Sequence, residues 1–412
     1  MTLERINRPL PTLREVLRDF GLPYGVNGLI GFIFAASGPV AIILTMGSRG
    51  GLDQVQLSSW IFGAFFFNSI LSIVFCVLYR KPMVFFWTIP GTVLVGAALT
   101  HLSFAEVVGA FFATGALMLV LGLSGWVRRA MNIVPMPIVM AMVAGVFLQF
   151  GLDLVFAVRD GFAIAAPMCA AFIVLSLVVP LGRVLPPLIG ALVIGVAAIT
   201  ITGVFDLGGD VQLALVPPSF ILPEFSIAAM VELVVPLAIT VIVVQNGQGF
   251  AILQAAQHDP PINAVTVACG GVSLLTAALG TVSTCLTGPV NALISASGEH
   301  HRQYTAGIFV ALLGLLFGLF SPLFTSMMLA SPPAFIATLA GLAMLRVLQT
   351  SMTTAFGGRC TLGALITFLV TLADVPIFNL GAPFWGLVIG CATSWGLERA
   401  DYLRSLSGTT DS

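Results

Sequence analysis

Uninterrupted apolar runs of about 20 residues recur along the chain and limit the folds open to it. The first extends from Leu22 to Met46 without a charged side chain. Of 412 residues, 16 are Lys or Arg and 17 are Asp or Glu, which makes 8% charged, against about 25% in soluble domains. Such runs span a bilayer as helices, whereas strands of a membrane barrel alternate over about 10 residues. The sequence therefore predicts an all-α polytopic membrane protein and excludes a soluble enzyme, a disordered chain and a β-barrel.

Charges, prolines and glycines divide the apolar sequence into fourteen predicted spans. They cover residues 24–46, 55–79, 84–99, 104–125, 132–150, 162–179, 185–202, 227–254, 263–280, 284–297, 304–321, 331–349, 360–373 and 378–396. The third and the tenth are short for a bilayer core about 30 Å thick, and Gly and Pro interrupt both. Re-entrant loops are the alternative for these two segments.

The distribution of positive charge tests this count of spans. If the N-terminus is cytoplasmic and every span crosses, all Lys and Arg except Arg49 and Arg159 lie on the cytoplasmic side. The positive-inside rule requires such an asymmetry. Without the two short spans, Arg128, Arg129 and Arg183 would move outside. We therefore expect both short spans to cross and both termini to be cytoplasmic.

Four weak sequence matches, in the same order, divide the chain into two halves of seven spans. Residues 37–44 resemble 246–253, 90–94 resemble 287–291, 137–145 resemble 333–341, and 187–195 resemble 383–390. An odd number of spans per half places the halves in inverted orientations. We predict a first inverted repeat over 1–215 and a second over 216–412. Inverted repeats with a broken span in each half are typical of secondary transporters.

The broken third and tenth spans are the predicted binding site. Irregular backbone at membrane depth must face protein or a water-filled cavity, so each should be a short extended stretch followed by a half-helix. The half-helices would begin near Pro90-Gly91-Thr92 and Gly288-Pro289-Val290. We expect the N–H groups of Gly91, Thr92, Gly288 and Val290 to face one cavity. Two positive helix ends favour an anionic or carbonyl-rich substrate.

Three amides in the eighth span, Gln245, Asn246 and Gln248, are predicted to contact the substrate. Gln245 and Gln248 are three residues apart and share one helix face. The repeat places them opposite Ser37 of the first span, which we expect to line the same cavity. Asn291 in the tenth span is a weaker candidate. Hydrogen bonding between helices is the alternative role for such amides.

The energetics of a buried anion limit this prediction. Each helix end supplies about 0.3–2 kcal/mol, whereas desolvating a carboxylate costs at least several kcal/mol. Protonating a carboxylic acid as acidic as Glu at pH 7 costs roughly 3.7 kcal/mol, which is comparable. A proton that travels with the substrate would therefore remove the need for a buried cation. The aromatic run at 85–87 and Phe250 are candidates to hold a ring.

Other chemistry finds little support in the sequence. Glu106 and Glu232 lie at predicted span ends and are interpreted as helix caps, and the four histidines fall in predicted loops. The sequence shows no nucleophile–base pair, metal-ligand cluster or nucleotide loop, so we predict no catalysis, cofactor or metal. A net charge of −1 gives no reason to expect binding to nucleic acid. The expected partners are a small anionic substrate, a proton and the lipid bilayer.

Several motifs resemble those of the benzoate/proton symporter family. They are Leu22-Pro-Tyr through Ala36-Ser-Gly-Pro-Val, Tyr79-Arg-Lys-Pro, Trp87-Thr-Ile-Pro-Gly-Thr, Val134-Pro-Met-Pro-Ile-Val with Ala144-Gly-Val-Phe, and Asn246-Gly-Gln-Gly. The resemblance covers nearly the whole chain and implies an inner-membrane carrier that takes up benzoate or a similar aromatic carboxylate with a proton.

The chain is also similar, more distantly, to uracil and ascorbate transporters and to sulfate-type anion exchangers. That similarity implies a core domain of spans 1–4 and 8–11, a gate domain of spans 5–7 and 12–14, an elevator motion and a homodimer through the gate. The nucleobase relatives use acidic residues where this chain has Val244 and Pro289, which argues against a nucleobase substrate. A carrier of inorganic anions or nucleobases and an anion channel are the alternatives.

Overall fold

The computed structural model describes residues 3–4, 9–127, 134–178, 185–203, 215–216, 218–373, 375, 377 and 382–407. In these ranges, seven helices are long and apolar enough to cross a membrane: Leu22–Arg49, Gln54–Tyr79, Phe104–Ser124, Met136–Asp160, Ile227–Ala255, His300–Leu319 and Pro333–Phe356. The predicted cytoplasmic residues Arg128, Arg129 and Arg183 lie outside the described residues.

The described elements are named in chain order. The helices are α1 (Leu13–Asp19), α2 (Leu22–Ala36), α3 (Gly38–Arg49), α4 (Gln54–Tyr79), α5 (Ile89–Ala98), α6 (Phe104–Ser124), α7 (Met136–Asp160), α8 (Phe162–Leu177), α9 (Pro187–Thr202), α10 (Ile227–Ala255), α11 (Ile262–Ala277), α12 (Gly288–Ser295), α13 (Tyr304–Leu319), α14 (Ser321–Leu329), α15 (Pro333–Phe356), α16 (Thr361–Ala373), α17 (Ala382–Leu397) and α18 (Arg399–Ser407). A 3₁₀ turn, His300–Arg302, precedes α13. The strands are β1 (Phe85–Trp87) and β2 (Thr284–Leu286).

Each of the fourteen predicted spans contains helix in the described part, but two predicted ends were wrong. The fifth span was predicted to end at 150 and the twelfth at 349, whereas α7 continues to Asp160 and α15 to Phe356. Asp153, just beyond the predicted fifth span, does not end α7 because it bonds to Arg49. In α15, Arg346 lies within the predicted twelfth span and does not interrupt the helix.

The first span is broken at Ser37, which the sequence analysis missed. Ser37 has φ −101° and ψ −98°, and it separates α2 from α3. Pro39 follows at the start of α3, where its missing N–H is tolerated. A Cβ atom at Gly38 would lie 2.3 Å from Cβ of Ala343, so the break also lets α3 approach α15 closely.

The helices pack in two groups. The first group has α4 against α13, α6 against α11, and α2 against α12 and α13. In the second group, α7 packs against α15 and α16, α8 against α9, and α16 against α17. Contacts between α3 and α15 and between α5 and α7 join the groups. The seam between the groups therefore runs past α3 and α5.

Two faces of the molecule can be distinguished. Near the N-terminus, Arg80 pairs with Glu15 at 3.2 Å, and Arg302 donates to the carbonyl of Asp19 at 2.8 Å. The 28 residues from Leu22 to Arg49 then carry the chain about 42 Å away. We call the face that contains Glu15 the N-terminal face and the face that contains Arg49 the far face.

Candidate functional site

The broken third and tenth spans meet inside the protein as a pair of antiparallel strands. Phe85 pairs with Leu286, Phe86 with Cys285 and Trp87 with Thr284. The Thr88 N–H donates to the Ser283 carbonyl at 3.0 Å and the Thr287 N–H to the Val84 carbonyl at 3.1 Å. Extended backbone at this depth is thus paired, as a membrane interior requires.

Each strand leads directly into a short helix, which is the extended stretch and half-helix that the sequence predicts. Antiparallel pairing relates the two segments by a local two-fold axis. The helices α5 and α12 therefore leave the strand pair in opposite directions. We call this arrangement of β1, β2 and the starts of α5 and α12 the crossing.

The two helix starts at the crossing differ in their capping. In α5, the Thr88 hydroxyl accepts from the Gly91 N–H at 3.2 Å, and the Thr92 N–H donates to the Thr88 carbonyl at 2.9 Å. The N–H groups predicted as donors at Gly91 and Thr92 are therefore bonded within α5. In α12, the Thr287 side chain makes no capping bond.

Gln248 of α10 lies directly beside the uncapped start of α12. A Cβ atom built on Gly288 would lie 2.5 Å from Oε1 of Gln248, so the amide covers the Gly288 backbone. Gln248 is exposed, whereas Gln245 is only 6% exposed. The Val290 side chain points away to α2, where its Cγ1 lies 3.2 Å from the Cβ position of Gly31.

Buried asparagines hold the strands of the crossing in place. The Leu286 N–H donates to Oδ1 of Asn246 at 2.7 Å. Asn291 accepts from the Val84 N–H at 2.8 Å and donates to the Val84 carbonyl at 3.1 Å. Asn68 of α4 accepts from the Thr284 hydroxyl at 2.8 Å. The predicted site residues Asn246 and Asn291 thus bond to strand backbone.

Helix α10 contains two π-helical segments, Met230–Val234 and Thr240–Asn246. Pro236 lacks an N–H and so leaves a gap in the helical hydrogen bonds. The Thr240 hydroxyl donates to the Leu237 carbonyl at 2.8 Å, a bond that competes with regular helix. Such bulges occur frequently at functional sites, and here the second contains Gln245 and Asn246.

Ser37 lies on an apolar cavity. Its hydroxyl donates to the Phe34 carbonyl at 3.1 Å. The cavity has a volume of about 400 Å³ and is lined by Ser37, Phe32, Phe317 and Phe324, among others. Among the described residues, no hydrogen bond joins Ser37 to Gln245, Asn246 or Gln248. The three amides are not among the described residues that line this cavity, so the placing of Ser37 in one site with them stays a prediction.

The chain matches a known protein family over most of its length. The family described as benzoate membrane transport protein, BenE, matches residues 19–395 of this chain. The chain belongs to the BenE family. It is a membrane transporter rather than an enzyme.

Two relatives are similar in sequence to nearly the whole chain. The inner membrane protein YdcO of Escherichia coli is 30% identical over 91% of this chain and 96% of its own length. The benzoate membrane transport protein of Acinetobacter baylyi is 26% identical over 92% of this chain and 96% of its own length.

In fold, the BenE protein is similar to the transmembrane domain of the cyanobacterial bicarbonate transporter BicA, with a TM-score of 0.60 and 16% identity over 88% of this chain and 96% of that one. It is also similar to the murine anion transporter Solute Carrier 26 family member A9 in the inward-facing state. The TM-score is 0.58 and the identity is 14%, and the similarity covers 96% of this chain and 73% of that one.

Aromatic rings connect the crossing of this BenE protein to the cavity beside Ser37. The Phe65 ring centroid lies 5.1 Å from that of Phe86, 5.2 Å from that of Trp87 and 4.5 Å from that of Phe317. Sequence analysis singled out the aromatic run at 85–87 but missed Phe65, which is one of many phenylalanines in an apolar helix. No signal in the sequence distinguishes it.

Charged side chains of the seam gather at the far face. Arg49 of α3 pairs with Asp153 of α7 at 2.9 Å, beside a cavity of about 740 Å³. His101 pairs with Glu232 at 2.9 Å. Glu106 caps α6 together with Ser103, as predicted. Glu232 does not cap α10, because Ser226 accepts the Ala229 N–H in that role.

Proposed function

We propose that this protein is a secondary active transporter that imports benzoate, or a related small aromatic or organic carboxylate, together with a proton. The BenE family and the relative named benzoate membrane transport protein support the substrate class. The relative named inner membrane protein supports an inner-membrane location. We also propose that both termini are cytoplasmic, which makes the far face the outer one.

The observation that carries the proposal is the uncapped start of α12 beside an exposed amide. Helix N-termini attract anions, and no side chain of Thr287 occupies this one. A carboxylate placed here would accept from the backbone at Gly288 and Val290 and from the Gln248 amide, with Gln245 behind it. Because the α5 start is capped by Thr88, α12 supplies the stronger donor end.

The pairing of the basic side chains supports proton coupling. In the described residues, the arginines that form ion pairs do so with acidic side chains rather than at the α12 start: Arg18, Arg49, Arg80, Arg159 and Arg302. A buried carboxylate without a cation loses at least several kcal/mol of hydration. Protonation at pH 7 costs roughly 3.7 kcal/mol for an acid like Glu, so a proton that accompanies the substrate is energetically reasonable.

The two packing groups support an elevator-type mechanism. The first group consists of helices of the predicted core domain, including α12, and the second of helices of the predicted gate domain. Helix α10 packs against α6 and α12 of the first group, and α5 contacts α10. The crossing belongs to the first group, so its motion past the second would carry the site across the membrane. A homodimer through the gate is part of the same proposal.

The proposal is tested by uptake of labelled benzoate into proteoliposomes, with and without an inward proton gradient. We expect accumulation above the external concentration, which a protonophore abolishes. Protein-free vesicles are the control, because neutral benzoic acid crosses bilayers. Uptake that never exceeds equilibrium would contradict active transport and favour a channel. If bicarbonate, sulfate or uracil competes with the labelled substrate and aromatic carboxylates do not, the proposed substrate class is wrong and the competing compound indicates the correct one.

Replacing Gln248 by alanine should weaken benzoate binding by about 1–3 kcal/mol, because it removes a donor from a partly desolvated carboxylate. Binding to purified protein by calorimetry measures the loss. Gln254→Ala is the matched control, since Gln254 is an exposed amide near the end of the same helix. Equal affinity in the two variants would remove Gln248 from the site.

A further inference from the structure

Glu232 is a buried acid on the seam between the two helix groups. It is 5% exposed and lies in the first π-helical segment of α10. Asp19 is the other buried acid among the described residues, and it bonds to Tyr304 at the N-terminal face. An ionisable residue inside a membrane protein, away from a permanent cation, indicates a functional role.

The partner of Glu232 is a histidine, His101. Nε2 of His101 lies 2.9 Å from Oε2 of Glu232, and Nδ1 of His101 lies 3.2 Å from the Thr100 hydroxyl. Imidazole is the side chain whose ordinary pKa falls closest to physiological pH. The pair therefore has two accessible states: a carboxylate with neutral imidazole, and a carboxylate with imidazolium.

Cavities connect this pair to the far face. The cavity of about 740 Å³ and a neighbouring one of about 170 Å³ share Arg49, Phe150 and Asp153 in their walls. The smaller cavity is also lined by Thr100, the hydrogen-bond partner of His101. The smaller cavity thus extends from the Arg49–Asp153 pair to the hydrogen-bond partner of His101.

On its other side, Glu232 faces the second helix group. A pocket of about 10 Å³, enough for about one water, is lined by Glu232, Ala97, Pro383 and Phe384. Pro383 and Phe384 belong to α17, whereas Ala97 belongs to α5. Movement of one group past the other would therefore change the surroundings of this carboxyl group.

Among the described residues, few other charges face the pair. From α6, Glu106 acts on His101 through its charge, and it is held in its own capping bond. The exposed Glu224 precedes α10, and the Arg49–Asp153 ion pair lies across the smaller cavity. The described parts of α5 and α17 that line the pocket bring no charged side chain. The charge of the pair is therefore set mainly by its own proton.

We propose that His101 and Glu232 form the site that carries the coupled proton. This inference rests on the proposed function and assigns its proton. Loading adds one proton to imidazole and changes the charge of the pair from −1 to 0. The same α5 and α10 reach the crossing, about 15–20 Å away along the helices. The proton would therefore travel on the same group of helices as the carboxylate and offset the charge that this group moves, instead of residing on the carboxylate itself.

The test compares two modes of transport in proteoliposomes that contain full-length protein. At one proton per benzoate, a gradient of about one pH unit supports about tenfold accumulation. Because neutral benzoic acid also distributes along the pH gradient, the readout is the initial rate of accumulation above that of protein-free vesicles. We expect Glu232→Gln and His101→Gln to lose this protein-dependent, gradient-driven accumulation. Both should retain exchange of labelled for unlabelled benzoate at equal pH on the two sides. Glu106→Gln, the matched control, should keep both modes, and Glu232→Asp should keep part of the accumulation.

The outcomes separate the inference from the proposed function. Wild-type protein that exchanges benzoate without gradient-driven accumulation would overturn proton coupling itself. Wild-type accumulation that persists in Glu232→Gln would overturn the assignment and leave the proposed function standing. Loss of exchange as well as accumulation in Glu232→Gln would also overturn it, because the carboxyl group would then serve substrate movement rather than coupling.

Discussion

Replacing Gly270 by valine is expected to lower the free energy of unfolding by about 3 kcal/mol, because α6 and α11 pack through their backbones. A Cβ atom at Gly270 would lie 2.5 Å from the backbone nitrogen of Leu119 and 2.9 Å from the carbonyl oxygen of Gly115. Backbone atoms cannot turn aside as a flexible side chain can, so the helices must separate. Small residues allow this approach in membrane proteins, where close packing is a main source of helix association.

The neighbouring residue provides the control for this prediction. Gly271 lies on the same helix, and a Cβ atom there would meet nothing within 4 Å. Gly271→Val therefore carries the same change in helix propensity without the clash. Thermal unfolding of the two purified variants in detergent measures the difference. Equal midpoints would show that α6 and α11 can move apart without loss of stability.

The long spans could be predicted from sequence because lipid imposes a simple rule of length and polarity. The positions of the crossing could also be predicted, since Gly and Pro in two short apolar segments leave few alternatives to a broken span. Which of the two helix starts is capped could not be predicted from the sequence. Thr88, three residues before Gly91, has the spacing of an N-cap, but Thr287 has the same spacing and makes no such bond.

Long-range polar pairs could not be predicted from the sequence. Asn291 and Val84 are 207 residues apart, and His101 and Glu232 are 131 apart. An amide or an acid in an apolar span must have a polar partner, but the sequence does not show which residue that partner is. For this reason Asn291 was predicted to contact substrate and Glu232 to cap a helix. The helix ends beyond Asp153 and Arg346 were missed for a related reason. A charge ends a span only where it meets lipid, and Asp153 meets Arg49 instead.

Replacing Asn291 by leucine is expected to destabilise the crossing by about 2–3 kcal/mol and to abolish benzoate uptake. The change removes the acceptor of the Val84 N–H, and a buried donor without a partner costs about 1–3 kcal/mol besides the lost bond. The Val84 carbonyl keeps its bond from the Thr287 N–H, which limits the loss. Thermal unfolding without benzoate and uptake into proteoliposomes measure the two effects.

Asn27→Leu is the control for this change, because Asn27 is a half-buried amide on α2, outside the crossing. The experiment also distinguishes the two roles that Asn291 could have. If Asn291 holds the strand, its loss lowers the unfolding midpoint even when no benzoate is present. If Asn291 binds the substrate instead, the midpoint stays that of the wild type and only the stabilisation by added benzoate disappears. The second result would show that Asn291 belongs to the binding site. The position of β1 would then be determined by its pairing with β2 and not by Asn291.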